Sequence, residues 1–364
     1  MQTMHPTLLI GPADWDAGRL PRAEFDARIA TLWRDHPQAA SAIIYGEASD
    51  HAALAYLTNL TPKLQPSIAL IPREGQPQLL IGGGINMVPA AKPLTFVERL
   101  APLRDASKAI ADWVRSRPTG VVLIGGDAMP YELRRSISGE MEAGDVALRA
   151  RMRVKSPREL QLMREACAKL DTVVVALLEA LRAGSSVTEC VIFAEHVASK
   201  CGAQDVRSLF SLDHGRTLRP FEIPLSEKRD PLQVYLAVRH AGYWAEAFVR
   251  VCLMADAPGA KAESRLRALL KVAKPGVSCA ELQKAADVAV QMRRHPLCAG
   301  VVGTSIGLSL DEATLTADAR LEAGAVYSFR AGVLDNVGQG AIVSAMVAMT
   351  EQGAELLWPT GEAP

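Results

Sequence analysis

One short stretch of this chain holds the residues best placed to do chemistry. Gln233 to Arg250 reads QVYLAVRHAGYWAEAFVR. Val234, Leu236 and Val238 alternate with Gln233, Tyr235, Ala237 and Arg239, the period-two pattern of a half-buried strand. Ala241-Gly242 supplies a turn, and a second strand follows in which Trp244, Glu246, Phe248 and Arg250 share one face. A carboxylate and a guanidinium on one face of a hairpin, among bulky apolar neighbours, can bind an ion, shift each other's protonation or act as acid and base. What the hairpin faces decides among these, so the elements that position it come next.

The chain has 364 residues, which favours two domains. Its hydrophobic content of 49% is that of a globular protein. Forty basic and forty acidic residues cancel, so nothing in the charge balance points to nucleic acid or an anionic membrane; the partner expected is a small molecule or a neutral protein. Cys167, Cys190, Cys201, Cys252, Cys279 and Cys298 show no CxxC or metal-finger spacing and read as reduced, mostly buried thiols of a cytoplasmic protein. Met1 to Pro12 lacks a charged, apolar leader pattern, and no apolar run approaches the ~20 residues that span a bilayer.

The first half alternates helix and strand patterns, which favours an α/β layer. Arg22 to Arg34 and Lys108 to Val114 read as amphipathic helices, and Ala52 to Leu60 as a further helix. Ala42 to Tyr45, Ser67 to Pro72, Gln78 to Ile81 and Val121 to Ile124 read as strands. Gly82-Gly83-Gly84 and Gly125-Gly126 follow strands but lack nucleotide-loop spacing, and are read as turn glycines. Arg151 to Lys155 reads as an extended connector between domains 1–152 and 153–364. Ser156-Pro157 with Glu159 then gives a helix start, with a capping serine, a proline at the first position and an acid at the third. That helix runs to about Ala183, and Thr188 to Lys200 makes the next. Ser208 to Asp213 is strand-like, Lys261 to Val272 and Ala280 to Met292 are helical, and Ala325 to Phe329, Ala341 to Met349 and Ala354 to Trp358 are strands.

In this order the pieces resemble a known family. Arg153 to Leu160, Gly242-Tyr243 with Arg250, the segment Gly303-Thr304-Ser305-Ile306-Gly307-Leu308 and the closing Thr350 to Leu356 are similar to landmarks of the pita-bread fold family, M24, which includes aminopeptidase P, prolidase, methionine aminopeptidase and creatinase. Tyr56-Leu57-Thr58-Asn59-Leu60 resembles a segment of the creatinase-type N-terminal domain. The resemblance implies an α/β (α+β) fold: a creatinase-type N-terminal α/β domain, then a pita-bread domain whose curved antiparallel sheet is covered by helices. It also implies a homodimer.

Family metallopeptidases hold two metal ions with two aspartates, a histidine and two glutamates. By resemblance those places fall at Tyr235, Glu246, Thr304, Arg330 and Ser344, so one carboxylate remains of five ligands. A guanidinium would repel the dications, and no metal or other cofactor is expected. The family's substrate-facing histidine falls near Phe221 or Glu222, and another falls at Asp311, beside Glu312. Creatinase shows that the fold can break a C–N bond without metal, but its histidine has no counterpart here.

The resemblance therefore implies a cavity carrying Glu246, Tyr235 and Glu222 as acid–base candidates, with Arg330, Thr304, Ser344, Arg250, Asp311, His295 and Phe221 toward the substrate. Arg330 should find Glu246, a substrate carboxylate, or both, since a buried arginine is costly alone. His214 and His240 read as loop or rim residues, His196 as a helix-face residue, and Met346 and Met349 as core. Three functions compete. The first is a metal-independent, creatinase-like enzyme acting on a small, amino-acid-derived carboxylate by C–N hydrolysis, elimination, cyclisation or isomerisation, as a hydrolase or lyase. The second is a non-catalytic binding pseudoenzyme, and the third an Xaa-Pro peptidase-like metallohydrolase with displaced ligands. The first is favoured because the replacements are polar and charged rather than apolar filler.

Overall fold

The computed structural model describes residues 14–62, 64–117, 120–137, 139, 141–220, 226–254 and 256–360. The chain divides into two compact units between Met152 and Arg153. In the first, the strands β1 (Ser41–Gly46), β2 (Ser67–Pro72), β3 (Gln78–Ile81), β4 (Arg99–Pro102), β5 (Val121–Ile124) and β6 (Met141–Ala143) form one mixed sheet in the order β4-β3-β2-β1-β5-β6. β1 and β5 are parallel, as β-strands joined through helices are, and the β2–β3 hairpin is antiparallel. Every residue of β1 is buried, as its uninterrupted apolar run requires of a central strand. Helices α1 (Arg22–Asp35), α2 (Ala52–Thr58), α3 (Met87–Ala91), α4 (Ala106–Arg115), α5 (Tyr131–Arg134) and α6 (Asp145–Arg153) complete the order. α4 starts where the Asp105 side chain accepts from the Lys108 backbone, and it packs Ile110, Trp113 and Val114 on the sheet.

The glycine pairs after β3 and β5 are turn glycines. An added Cβ at Gly82 would strike the Pro66 carbonyl, and one at Gly125 the Tyr45 carbonyl, so close backbone approach is what requires glycine there. One expectation fails at the unit boundary. Arg151 to Arg153 is not extended but closes α6, and only Val154 bridges to Ala325 in strand geometry.

The second unit begins with α7 (Pro157–Arg182), whose capping box between Ser156 and Glu159 is present in both directions. α8 (Val187–Lys200), β7 (Asp205–Phe210), β8 (Leu232–His240), β9 (Tyr243–Val251), α9 (Ala257–Val272) and α10 (Cys279–Ala289) follow. β7 therefore starts and ends three residues before the span read from sequence. The chain then forms β10 (Arg293–Arg294), β11 (Gly303–Ser305), β12 (Ala313–Thr314), β13 (Val326–Leu334), β14 (Gly340–Thr350) and β15 (Gly353–Trp358). β13 runs five residues beyond the Phe329 at which its apolar pattern stops, because β14 pairs with it as far as Leu334.

These strands make two antiparallel sheets, β7-β8-β9 and β12-β11-β13-β14-β15, with β10 on β13. Side chains join them where β9 meets β14. The Phe248 N–H donates to Ser344 Oγ at 2.8 Å, the Glu246 N–H points at Met346 Sδ at 3.2 Å, and the Gln233 amide bonds both the Ile342 N–H and C=O. α9 and α10 bury Leu266, Leu269 and Leu282 against Tyr327, Phe329 and Ala331 of β13. Alternation then turns Ser328 and Arg330 to the other face. All six cysteines are free, four of them buried. Among the described residues, no helix is long and apolar enough to cross a membrane.

Candidate active site

β8 and β9 form the hairpin with the register that alternation predicts: Tyr235 opposes Phe248, Ala237 opposes Glu246, and Gln233 opposes Arg250. The turn residues Ala241 and Gly242 both take positive φ, +48° and +88°, as a two-residue hairpin turn requires. The hairpin is not half-buried, however. α7 packs on it as well as the neighbouring strands, and nearly all its residues are enclosed.

Tyr235 and Glu246 meet. The phenol donates to Glu246 Oε2 at 2.7 Å, across the diagonal of the hairpin. Glu246 is only 5% exposed. Burial pushes its carboxyl above the usual range, against the Tyr235 and Ser328 hydroxyls and the Arg330 charge, which favour the anion. Burial also pushes the Tyr235 phenol up, and the Glu246 negative charge reinforces it. The site thus holds an acid that tends to keep its proton, beside a phenol that keeps its own.

These side chains open on a cavity of about 730 Å³, also lined by Phe248, Thr304, Asp311 and Arg330. Arg330 does not ion-pair with Glu246, although the two share the cavity and Arg330 acts on its charge. Its guanidinium lies 5.8 Å from the Phe248 ring centroid, and its buried Nε has no hydrogen-bond partner. Thr304, on β11, donates weakly to the Leu310 carbonyl at 3.4 Å. Asp311 sits exposed at the rim and accepts from Thr314 Oγ1 at 3.1 Å. The remaining wall is largely leucine and proline, with Arg216 and Thr217 contributed by the loop after β7.

Three expected substrate contacts are engaged elsewhere and do not line this cavity. Ser344 Oγ is taken by the Phe248 N–H, a bond between sheets. Arg250 forks onto Asp256, through Nε to Oδ2 and through Nη2 to Oδ1 at 3.1 Å, and its Nη1 donates to the Gly340 carbonyl at 2.9 Å. His295 is fully buried: Nε2 bonds the Gly215 carbonyl at 2.7 Å and Nδ1 accepts from the Leu297 N–H at 3.2 Å. That arrangement assigns the neutral ring with its proton on Nε2, and burial lowers the histidine's pKa accordingly. His295 thus ties two wall segments together without reaching the cavity. Phe221 and Glu222 lie outside the described residues.

Sequence reasoning did not count Ser328 among the site residues, nor Phe248, which it placed on the Glu246 face only as an apolar neighbour. Both were within reach of the same alternation, since Ser328 is two residues before Arg330 and Phe248 two after Glu246. Nothing in sequence pattern marked the leucines of the wall, nor the buried ion pair between Lys155 and Glu312 at 2.6 Å, whose partners are 157 residues apart.

The donor set does not suit a dinuclear metal centre. Of the five places implied for ligands, Tyr235, Glu246, Thr304 and Arg330 do converge, but they offer one carboxylate, already bonded by a phenol, and one cation. Among the described residues, no group of three His, Cys, Asp or Glu side chains is arranged to hold a metal.

An α/β unit followed by two antiparallel sheets backed by helices, with a polar cluster on the inner strand faces, defines a pita-bread protein. The model of metallopeptidase family M24 matches residues 161–351, and the chain belongs to that family. Solved structures agree in fold. The prolidase from Pyrococcus horikoshii OT3 superposes with a TM-score of 0.74 at 15% identity, covering 92% of this chain and 99% of that one. The X-Pro aminopeptidase from Thermotoga maritima MSB8 gives 0.72 at 18% identity, covering 91% and 98%. The N-terminal domain of the FACT complex subunit SPT16 from chickpea, Cicer arietinum, gives 0.67 at 17%, covering 93% and 97%. Comparison with curated protein sequences finds no match.

Proposed function

We propose that the chain is a metal-independent enzyme of creatinase type, acting on a small carboxylate-bearing, amino-acid-derived substrate. The observation that carries this reading is Arg330, a guanidinium in a substrate-sized cavity with a buried Nε that no group of the described protein satisfies. Leaving an arginine so is costly unless a ligand anion completes it, and a carboxylate does so with two parallel hydrogen bonds. Glu246, whose carboxyl burial pushes above the usual range, can donate to a leaving nitrogen or oxygen and take the proton back from water or substrate. Tyr235 orients that carboxyl and stabilises it once ionised. Thr304 offers a hydroxyl to the bound ligand. A homodimer, as the family resemblance implies, and a cytoplasmic location, as the free cysteines suggest, belong to the same reading.

The test is a screen of small carboxylates for consumption, followed by mass spectrometry with a chelator present throughout. Turnover should persist with chelator, fall at least about 100-fold in Glu246→Gln, and be lost in Arg330→Met. Turnover that requires added divalent metal, or that survives Arg330→Met, would sink the proposal.

A further inference from the structure

The cavity says more about its ligand than that it carries a carboxylate. About 730 Å³ is well within the roughly 300–1,000 Å³ of pockets that enclose a drug-sized molecule, so a single amino acid would leave much of it empty. The apolar part of the wall is made by Leu209, Leu218, Leu297, Leu310 and Leu334. Such a wall favours a hydrocarbon arm over a polar one. The charges of the lining do not suit a zwitterion. Arg330 and Arg216 are positive, and the carboxylates are Asp311 at the exposed rim and Glu246, which already accepts the Tyr235 hydroxyl. An ammonium bound near Arg330 would meet like charge, and the one buried carboxyl of the lining, Glu246, is already bonded by the Tyr235 phenol and pushed by burial toward its neutral form.

Building on the carboxylate-anchoring role of Arg330, we propose that the cavity takes a net monoanion with an apolar arm and no free amine, an N-acylated amino acid by class, rather than a free amino acid or peptide. The carboxylate sits on Arg330, the acyl amide within reach of Glu246 and Tyr235, and the arm against the leucines. An amide next to a proton-donating carboxyl is also the bond that the proposed acid–base pair is equipped to act on.

Calorimetric titration with N-acetyl-, N-butanoyl- and N-hexanoylglycine, with glycine and leucylglycine as zwitterions and hexanamide as the uncharged control, tests this. All titrations are made with chelator at one ionic strength. Affinity is expected to rise about fourfold per added methylene, with both zwitterions and the amide at least about tenfold weaker than hexanoylglycine. Leu297→Ser, at a side chain already 44% exposed and so not needed for folding, should flatten the chain-length series. Zwitterions binding as tightly as acylglycines, or a series that is flat in wild type, overturns the inference. In either case, loss of carboxylate binding in Arg330→Met leaves the anchoring role intact. If no carboxylate binds the wild type at all, the anchoring role and the inference fall together.

Discussion

Arg265 and Arg330 both border a space of about 30 Å³ between α9, α10 and β13, and both leave a buried Nε without a hydrogen bond, yet their terminal guanidinium nitrogens are satisfied in different ways. Arg265 is held by main-chain carbonyls: its Nη1 donates to Gly332 at 2.8 Å, and its Nη2 to Val290 at 2.9 Å and to Met292. Asp287 adds a carboxylate at 3.7 Å. That arginine closes the strand and helix ends around it, and its charge is spent on the protein. Arg330, on the cavity face of β13, has neither carbonyl nor carboxylate among the described residues, only the Phe248 ring, over which its guanidinium lies 5.8 Å from the centroid. A cation that the fold needs is surrounded by the fold; one kept for a ligand, as proposed for Arg330, is left partly open. The same contrast separates Arg250, forked onto Asp256, from Arg330.

The largest expected effect is at Arg265. Arg265→Met removes the guanidinium that ties Gly332, Val290 and Met292 together beside Asp287, and should lower unfolding stability by about 3 kcal/mol in urea titration. Ser344→Ala comes next. It strands the Phe248 N–H between the sheets and should cost about 1–3 kcal/mol by the same measurement. A cost near zero would mean that water or a backbone shift replaces this bond.

Glu246→Gln should matter mainly through pH. Because the folded carboxyl titrates above its usual value, its contribution is complete at acid pH and is lost as pH rises through the folded pKa. Wild-type stability should therefore fall relative to Glu246→Gln on going from about pH 4 upward, by at most about 1.4 kcal/mol per pH unit. Parallel pH–stability curves for the two proteins would show that Glu246 is not buried as an acid. The smallest effect on stability is predicted for Arg330→Met, within about 1 kcal/mol of wild type or slightly stabilising, since an unpaired charge is replaced by an apolar chain. A loss like that of Arg265→Met would erase the contrast and return Arg330 to a structural role.

The hairpin was legible in the sequence because its faces are written in alternation and its turn in Ala241-Gly242. Ser156, Pro157 and Glu159 were legible because a helix start is a local contract among neighbours. The connector at Arg151 to Arg153 was misread since charged residues with weak periodicity give no local sign of a last helical turn. The site was harder. Tyr235 and Glu246 were placed together through resemblance, and alternation alone could only put them on one face. That Ser344, Arg250 and His295 are occupied elsewhere follows from partners at Phe248, Asp256 and Gly215, two of them far away in sequence.

The sequence by itself determined the local pieces: which segments are helix or strand and which glycines turn. Those depend on near neighbours and on residue type. The tertiary structure alone decided that Glu246 bonds to Tyr235 and that Arg330 stays without a carboxylate partner. Pairing among buried charges is set by distances between strands that the chain brings together only when it is folded.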